Sequence, residues 1–232
     1  MKKIILFIFV LLGLNHLTLN AAEGSVVCIH GFIRSYRCMI PMGNMLDNEG
    51  FEVYLWDYQS RKNTIQGHAE NLVKLLNTIA QQKPGQPIHF VTHSLGGIII
   101  KTALNHPNCP EEARVGKAVL LAPPSQGSAV ARSISHITPI RWFFGKKAGH
   151  QLLTYTSDDM ENLGYFPEDM DVMVISGIKG NYLLFRTPND GKVFLHETRL
   201  STPHTHLILN VSHSWIMTSR ESMDLTRKFL LH

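Results

Sequence analysis

Short apolar runs alternate along this chain with longer amphipathic stretches. Six runs have the length and the β-branched or aromatic content of buried strands: Ser25 to His30, Phe51 to Trp56, Pro87 to Ser94, Lys117 to Ala122, Asp171 to Ser176 and His206 to Val211. Between them the period lengthens. Residues 35–49 read as a helix closed by Gly50, with Pro41 either starting or kinking it. Asn63 and Thr64 offer caps for a long helix through Gln82 that sets Leu72, Leu75, Leu76 and Ile79 on one face. Another helix follows Ser94, and a last one spans Glu221 to Leu231. Near-continuous apolar strands alternating with helices predict an α/β fold, about six mostly parallel strands with helices on both faces.

Two stretches break this rhythm. Residues 123–170 separate two strands and are too long for an ordinary connection. Their unusually apolar patch, Ile137 to Phe144, predicts a cap or lid-like insertion, or an extra helix packed on the sheet; the two readings are compatible. At the start of the chain, Lys2 and Lys3 precede an apolar run from Ile4 to Leu14, and small residues follow at Ala21 and Ala22. That pattern predicts a secretory signal peptide over 1–22, hence a periplasmic or extracellular protein, and the run is short for a retained membrane anchor. No second stretch reads as transmembrane. With 232 residues in all and 44% hydrophobic content, the remainder, 23–232, suffices for one core and one domain.

Charge excludes some partners. The formal net charge is +4, but Lys2 and Lys3 leave with the leader, so 20 basic residues face 18 acidic ones, a net +2. That balance predicts no nucleic-acid partner. Transient contact with a membrane surface is compatible with it, although no dense basic block supports the contact. Oligomeric state is not encoded in the pattern. Cys28 reads as a small buried hydrophobe, whereas Cys38 and Cys109 could pair in an oxidising compartment if their geometry allowed it. His204 and His206 share one strand face, but no third ligand accompanies them, and no metal site is expected.

Ligands of parallel sheets bind beyond the carboxyl ends of the strands, so the residues just after each run carry the chemistry. Ser94 sits where a strand meets Leu95-Gly96-Gly97 and an apolar helix. Such a turn pushes the serine oxygen out of the sheet edge, and small neighbours let the two backbones pass closely. Thr92 stands where this motif usually has glycine, and fills space a glycine would leave empty. His30-Gly31-Phe32 follows the first strand; the Phe32 and Leu95 N–H groups are the expected donors to a developing oxyanion. His30 itself reads as a brace for its loop. Asp190, in Asn189-Asp190-Gly191, is a carboxylate in a tight turn, which suits a group that orients an imidazole and equally suits an Asx turn without chemistry. His213 follows the last strand. The order Ser94, Asp190, His213 predicts a serine activated by an imidazole that an aspartate holds in place. His93 is expected to point away from the nucleophile, and His196 and Asp171 are the less natural alternatives for base and acid.

Thr92-His93-Ser94-Leu95-Gly96-Gly97, His30-Gly31, Leu120 to Ser128, Asn189-Asp190-Gly191 and the late His213 together resemble bacterial lipases and esterases of the α/β-hydrolase superfamily. The resemblance covers most of the mature chain. It implies a minimal α/β-hydrolase fold, a Ser94–His213–Asp190 triad, an oxyanion hole at Phe32 and Leu95, and no cofactor. It further implies an exported serine hydrolase that cleaves carboxylic, lipid-like acyl esters through an acyl-serine intermediate. An acyltransferase or thioesterase would use the same scaffold, and a non-catalytic surface-binding domain would keep the fold without needing the triad. Trp142, Phe143 and Phe144 are the candidate contacts for an apolar acyl chain.

Overall fold

The computed structural model describes residues 23–232, and the expected leader lies outside the described residues. Its strands are β1 (Ser25–Ile29), β2 (Glu52–Trp56), β3 (Ile88–His93), β4 (Ala118–Leu121), β5 (Val172–Gly177) and β6 (Thr205–Leu209). They form one sheet in the order β2-β1-β3-β4-β5-β6, every pair parallel. The helices are α1 (Ile40–Asn48), α2 (Ile65–Gln82), α3 (Leu95–Leu104) and α4 (Glu111–Arg114), followed between β4 and β5 by α5 (Ala129–Ser133), α6 (Thr138–Phe144), α7 (Ala148–Thr154) and α8 (Ser157–Glu161). A short α9 (Tyr182–Phe185) follows β5, and α10 (Arg220–Leu231) closes the chain. Among the described residues no helix is long and apolar enough to cross a membrane.

The apolar runs are continuous because both faces of the sheet are covered. Every residue of β1, β3, β4 and β5 is buried, while the edge strands β2 and β6 are partly exposed. Val27, Ile29, Phe90, Leu120 and Val174 point to one side, where Leu72, Leu76 and Ile79 of α2 and Ile98 and Ile99 of α3 meet them. Val26, Cys28, Val91, Val119 and Ile175 point to the other, against Met42 and Leu46 of α1 and Leu230 of α10. Each such side chain contributes about 1.5–3 kcal/mol by leaving water. Cys109 packs on the first side and Cys38 on the second, so the sheet separates them; all three cysteines are free thiols. Burial pushes the Cys28 thiol up to about 12, which keeps it protonated and inert.

Local chemistry sets the boundaries. The Thr64 hydroxyl accepts from Gly67 N–H at 3.1 Å and caps α2, a bond worth about 1 kcal/mol. The stretch expected as one helix over 35–49 is a 3₁₀ turn (Tyr36–Met39) followed by α1, with Pro41 in the first helical turn, where its missing N–H costs nothing. The last strand ends at Leu209, two residues before the expected Val211, because the chain bends there: Val211 N–H donates back to Leu209 O at 2.9 Å. That bend delivers His213 to the carboxyl edge. Within the insertion, α7 buries Ala148, Leu152 and Leu153, whereas α5 and α6 bury no residue and form an arch beside Ser94.

Candidate active site

Ser94 lies between β3 and α3 with φ 53° and ψ −119°, a left-handed conformation that costs a non-glycine residue about 1–3 kcal/mol. The strain exists because strand and helix cross there with no spare room. A Cβ on Gly96 would lie 2.8 Å from Ile29 O, and one on Gly31 would lie 2.7 Å from His93 Nδ1 and 3.1 Å from Ser94 Cβ. Thr92, the departure from glycine, is fully buried; its Oγ1 would sit 3.3 Å from a Cβ on Gly97 and has no hydrogen-bond partner. Thr92 therefore fills the space that Gly97 leaves open.

The acid loop is built on a division of labour between neighbours. Asn189 makes the Asx turn, its Oδ1 accepting from Gly191 N–H at 2.9 Å. Asp190 Oδ1 accepts from the N–H groups of Lys192 and Val193 at 2.9 and 2.8 Å, which leaves Oδ2 to take His213 Nδ1–H at 2.6 Å. His213 N–H donates to Asp190 O at 2.9 Å, so backbone and side chain both tie the imidazole to this loop. His213 Nε2 lies 3.0 Å from Ser94 Oγ. Asp190 and His213 are nearly inaccessible, at 2% and 4% exposure, and a bond between them is stronger for lying out of water. The three side chains expected to act together thus form one hydrogen-bonded chain.

Other residues surround this chain. Leu95 opens α3, so its N–H has no acceptor within the helix. Ile33 takes a left-handed φ of 51° and gives its own N–H to Ser60 Oγ at 2.9 Å, which holds the Phe32 peptide in its turn. His30 is buried and braced: Nδ1 is 2.9 Å from Gly31 O, the ring stacks on Tyr58 at 4.3 Å, and the Tyr58 hydroxyl donates to His30 O at 2.9 Å. Its pKa is lowered, chiefly by burial.

His93 packs against His213. Its ring makes no bond to Ser94 but lies 4.9 Å from the His213 ring, and Nε2–H donates to His213 O at 2.9 Å. Strand alternation does turn His93 to the face opposite Thr92. The bend after β6 then brings His213 onto that same face. Burial, then the nearby His213, Arg34 and Lys192, hold the His93 pKa well below 6.5, so the ring is neutral. Glu197 had no signal in the sequence. Its buried carboxylate accepts from Ala129 N–H and from Phe194 N–H at 2.9 Å, pinning the root of the insertion to the acid loop, and burial raises its pKa. His206 binds Ser176 Oγ at 2.8 Å, and His196 stacks on Phe194 at 5.7 Å. Asp171 lies at the amino end of β5, beside a groove lined by Glu23 and Lys117, on the rim opposite Ser94.

Above Ser94 and His213 opens a cleft of about 510 Å³. Its walls are Phe32, Val130, Ala131, Ile134, Phe143, Phe144, Leu152 and Val193, with Arg34 and Lys192 among the lining residues. Phe32 and Phe144 stack at 5.0 Å. Of the three aromatic residues expected to meet an acyl chain, Phe143 and Phe144 line this cleft, and Trp142 does not. Trp142 is 79% exposed, since successive residues of α6 point about 100° apart and two of the three turn inward.

A serine on the turn after the third strand of a parallel sheet, under an apolar cleft at the carboxyl edge, gives this protein the fold of an α/β hydrolase. The chain belongs to the family described as serine aminopeptidase, S33, whose model matches residues 20–176, from before β1 through β5. Solved structures agree on the fold. A mature lipase of Bacillus licheniformis superposes with a TM-score of 0.72 at 19% identity, over 91% of this chain and 93% of that one. A Listeria innocua protein gives 0.67 at 15% identity, over 90% and 94%. A metagenomic carboxyl esterase gives 0.65 at 16%, over 91% and 74%. No curated protein matches by sequence.

Proposed function

We propose that this chain is an exported serine hydrolase that cleaves lipid-like carboxylic esters through an acyl-Ser94 intermediate. The observation that carries the reading is the continuous chain from Ser94 Oγ through His213 to Asp190 at the floor of an apolar cleft. His213 takes the Ser94 proton as the oxygen attacks the ester carbonyl, then gives it to the departing alcohol; Asp190 fixes the tautomer and stabilises the imidazolium. The Phe32 and Leu95 amides take the negative charge of the tetrahedral intermediate, and water hydrolyses the acyl-enzyme.

The lining of the cleft favours esters over N-terminal peptides. It contains no carboxylate to receive a substrate ammonium, and its two cations, Arg34 and Lys192, would repel one. The leader expected at 1–22 supports export. An acceptor other than water would use the same acyl-enzyme, and the products formed with an added alcohol separate the two reactions. The test is covalent labelling by a fluorophosphonate together with turnover of p-nitrophenyl esters from acetate to palmitate. Wild type should label and turn over, and Ser94→Ala should lose labelling and about 10³-fold or more of the rate. Equal labelling of both proteins would sink the reading.

A further inference from the structure

Two cations share the cleft with the nucleophile. Arg34 follows the strained Ile33 on the loop that carries the Phe32 amide, and Lys192 follows Asp190 by two residues on the acid loop. Lys192 is fixed at the backbone on both sides: its N–H binds Asp190 Oδ1 at 2.9 Å, and its carbonyl accepts from Ser128 Oγ at 2.8 Å. Among the described residues neither side chain is held in an ion pair or a hydrogen bond. Two acidic groups on the adjoining loops, Asp190 and Asp57, already have partners. Asp190 spends its oxygens on His213 and the loop amides, and Asp57 accepts from Tyr36 N–H at 3.0 Å and faces His30 at 3.1 Å. The lining of the cleft holds no other ionisable groups than these two cations and the two histidines, His93 and His213. The cations also sense each other: burial first, then Arg34, lowers the Lys192 pKa, with Asp190 opposing.

Two like charges lining one cleft, neither of them in an ion pair and opposed only by an Asp190 already bonded to His213 and the loop amides, are unfavourable until an anion arrives. Their place relative to the chemistry says which part of the substrate brings it. His213 must touch the alcohol oxygen it protonates, so the alcohol half of the ester lies over His213 and the loop that holds it. Lys192 is on that loop. The apolar wall built by Ile134, Phe143, Phe144 and Leu152 is left for the acyl chain.

Taking the esterase reading as its basis, we propose that the preferred substrate is an acyl ester of a phosphorylated alcohol, with Arg34 and Lys192 receiving the phosphate. Ser94 Oγ bonds to the acyl carbon, the bond from that carbon to the alcohol oxygen breaks, and the His213 proton goes to the alcohol. Water then releases the fatty acid, so one ester and one water give one acid and one phosphorylated alcohol. The phosphate is untouched; it serves as a handle.

The experiment compares two soluble esters that differ in one group, 1-hexanoylglycerol and 1-hexanoylglycerol 3-phosphate, both kept monomeric. Concentrations of active enzyme come from fluorophosphonate titration, which also reports folding of each variant. Wild type should prefer the phosphate by about tenfold in kcat/KM, the preference shrinking as salt rises from about 0.02 to about 0.5 M. Arg34→Gln and Lys192→Gln should each lower the ratio of the two rates, and the double variant should bring it to about one. Vesicles of dioleoyl phosphatidate serve as a second arm: hydrolysis there identifies a membrane lipid as the source of the phosphate, and hydrolysis confined to the monomeric ester identifies a soluble one. The inference is overturned if wild type cleaves both glycerol esters equally, or if its preference survives the double substitution. Failure of the esterase reading looks different: neither ester is cleaved and Ser94 does not label.

Discussion

The acid loop and the arch of the insertion face each other across one cleft, and they are held in opposite ways. Asp190 and His213 are buried, joined by a side-chain bond and a backbone bond, and the other carboxylate oxygen, Asp190 Oδ1, accepts from two loop amides. The arch has helices of five and seven residues, α5 and α6, with no buried side chain between them, and Phe143 is half exposed. Proton transfer demands a fixed distance, since a displacement of about 1 Å can cost about 10²-fold. An apolar substrate demands a wall that can give way, and helices with few buried contacts open at low cost. Glu197 and Ser128 mark the border, because they tie the first residues of the insertion to the acid loop.

The sharpest way to break this contrast is at the rigid side. Asp190→Asn keeps the shape but takes away the negative charge that holds the Nδ1–H tautomer, and kcat should fall by about 10³–10⁴-fold with little change in thermal stability. A loss of less than tenfold would remove Asp190 from the reaction. On the other side of the cleft, Phe144→Ala removes a ring stacked on Phe32. It should lower kcat/KM for octanoyl relative to acetyl esters by about tenfold, through lost apolar contact. Trp142→Ala, two residues earlier but outside the cleft, is the control, expected to leave that chain-length ratio within about twofold. If the two variants behave alike, the arch does not form a wall.

A smaller effect concerns histidines packed into the fold on both rims of the sheet. His30, His68, His89, His93 and His206 all have pKa values lowered from 6.5, each chiefly by burial. A lowered pKa means that the unfolded chain binds the proton more tightly. Stability is therefore complete above 6.5 and is lost as the pH falls, at up to about 1.4 kcal/mol per pH unit for each proton taken up on unfolding. Glu197 acts in the opposite sense, because its raised pKa gives its share below 4.5 and loses it as the pH rises. Five groups against one predict that the urea midpoint falls between about pH 7.5 and about pH 5.5. His93→Gln should flatten that fall, and a midpoint independent of pH would show that these rings titrate freely.

Much of this protein is written in local patterns. Continuous apolar runs encode buried parallel strands because each strand is covered on both faces, and Gly31, Ser94, Gly96 and Asn189-Asp190-Gly191 encode turns that only such residues fit. What the chain order cannot express is which groups meet through space. The bond from His93 to His213 O, the pinning of the arch by Glu197, the outward turn of Trp142 and the meeting of Arg34 and Lys192 in one cleft bring together residues that are far apart in sequence or adjacent to others of different fate. The separation of Cys38 from Cys109 by the sheet belongs with them. Periodicity reports the face on which a residue lies, whereas its partners depend on how several elements pack at once, and that only the tertiary structure decides.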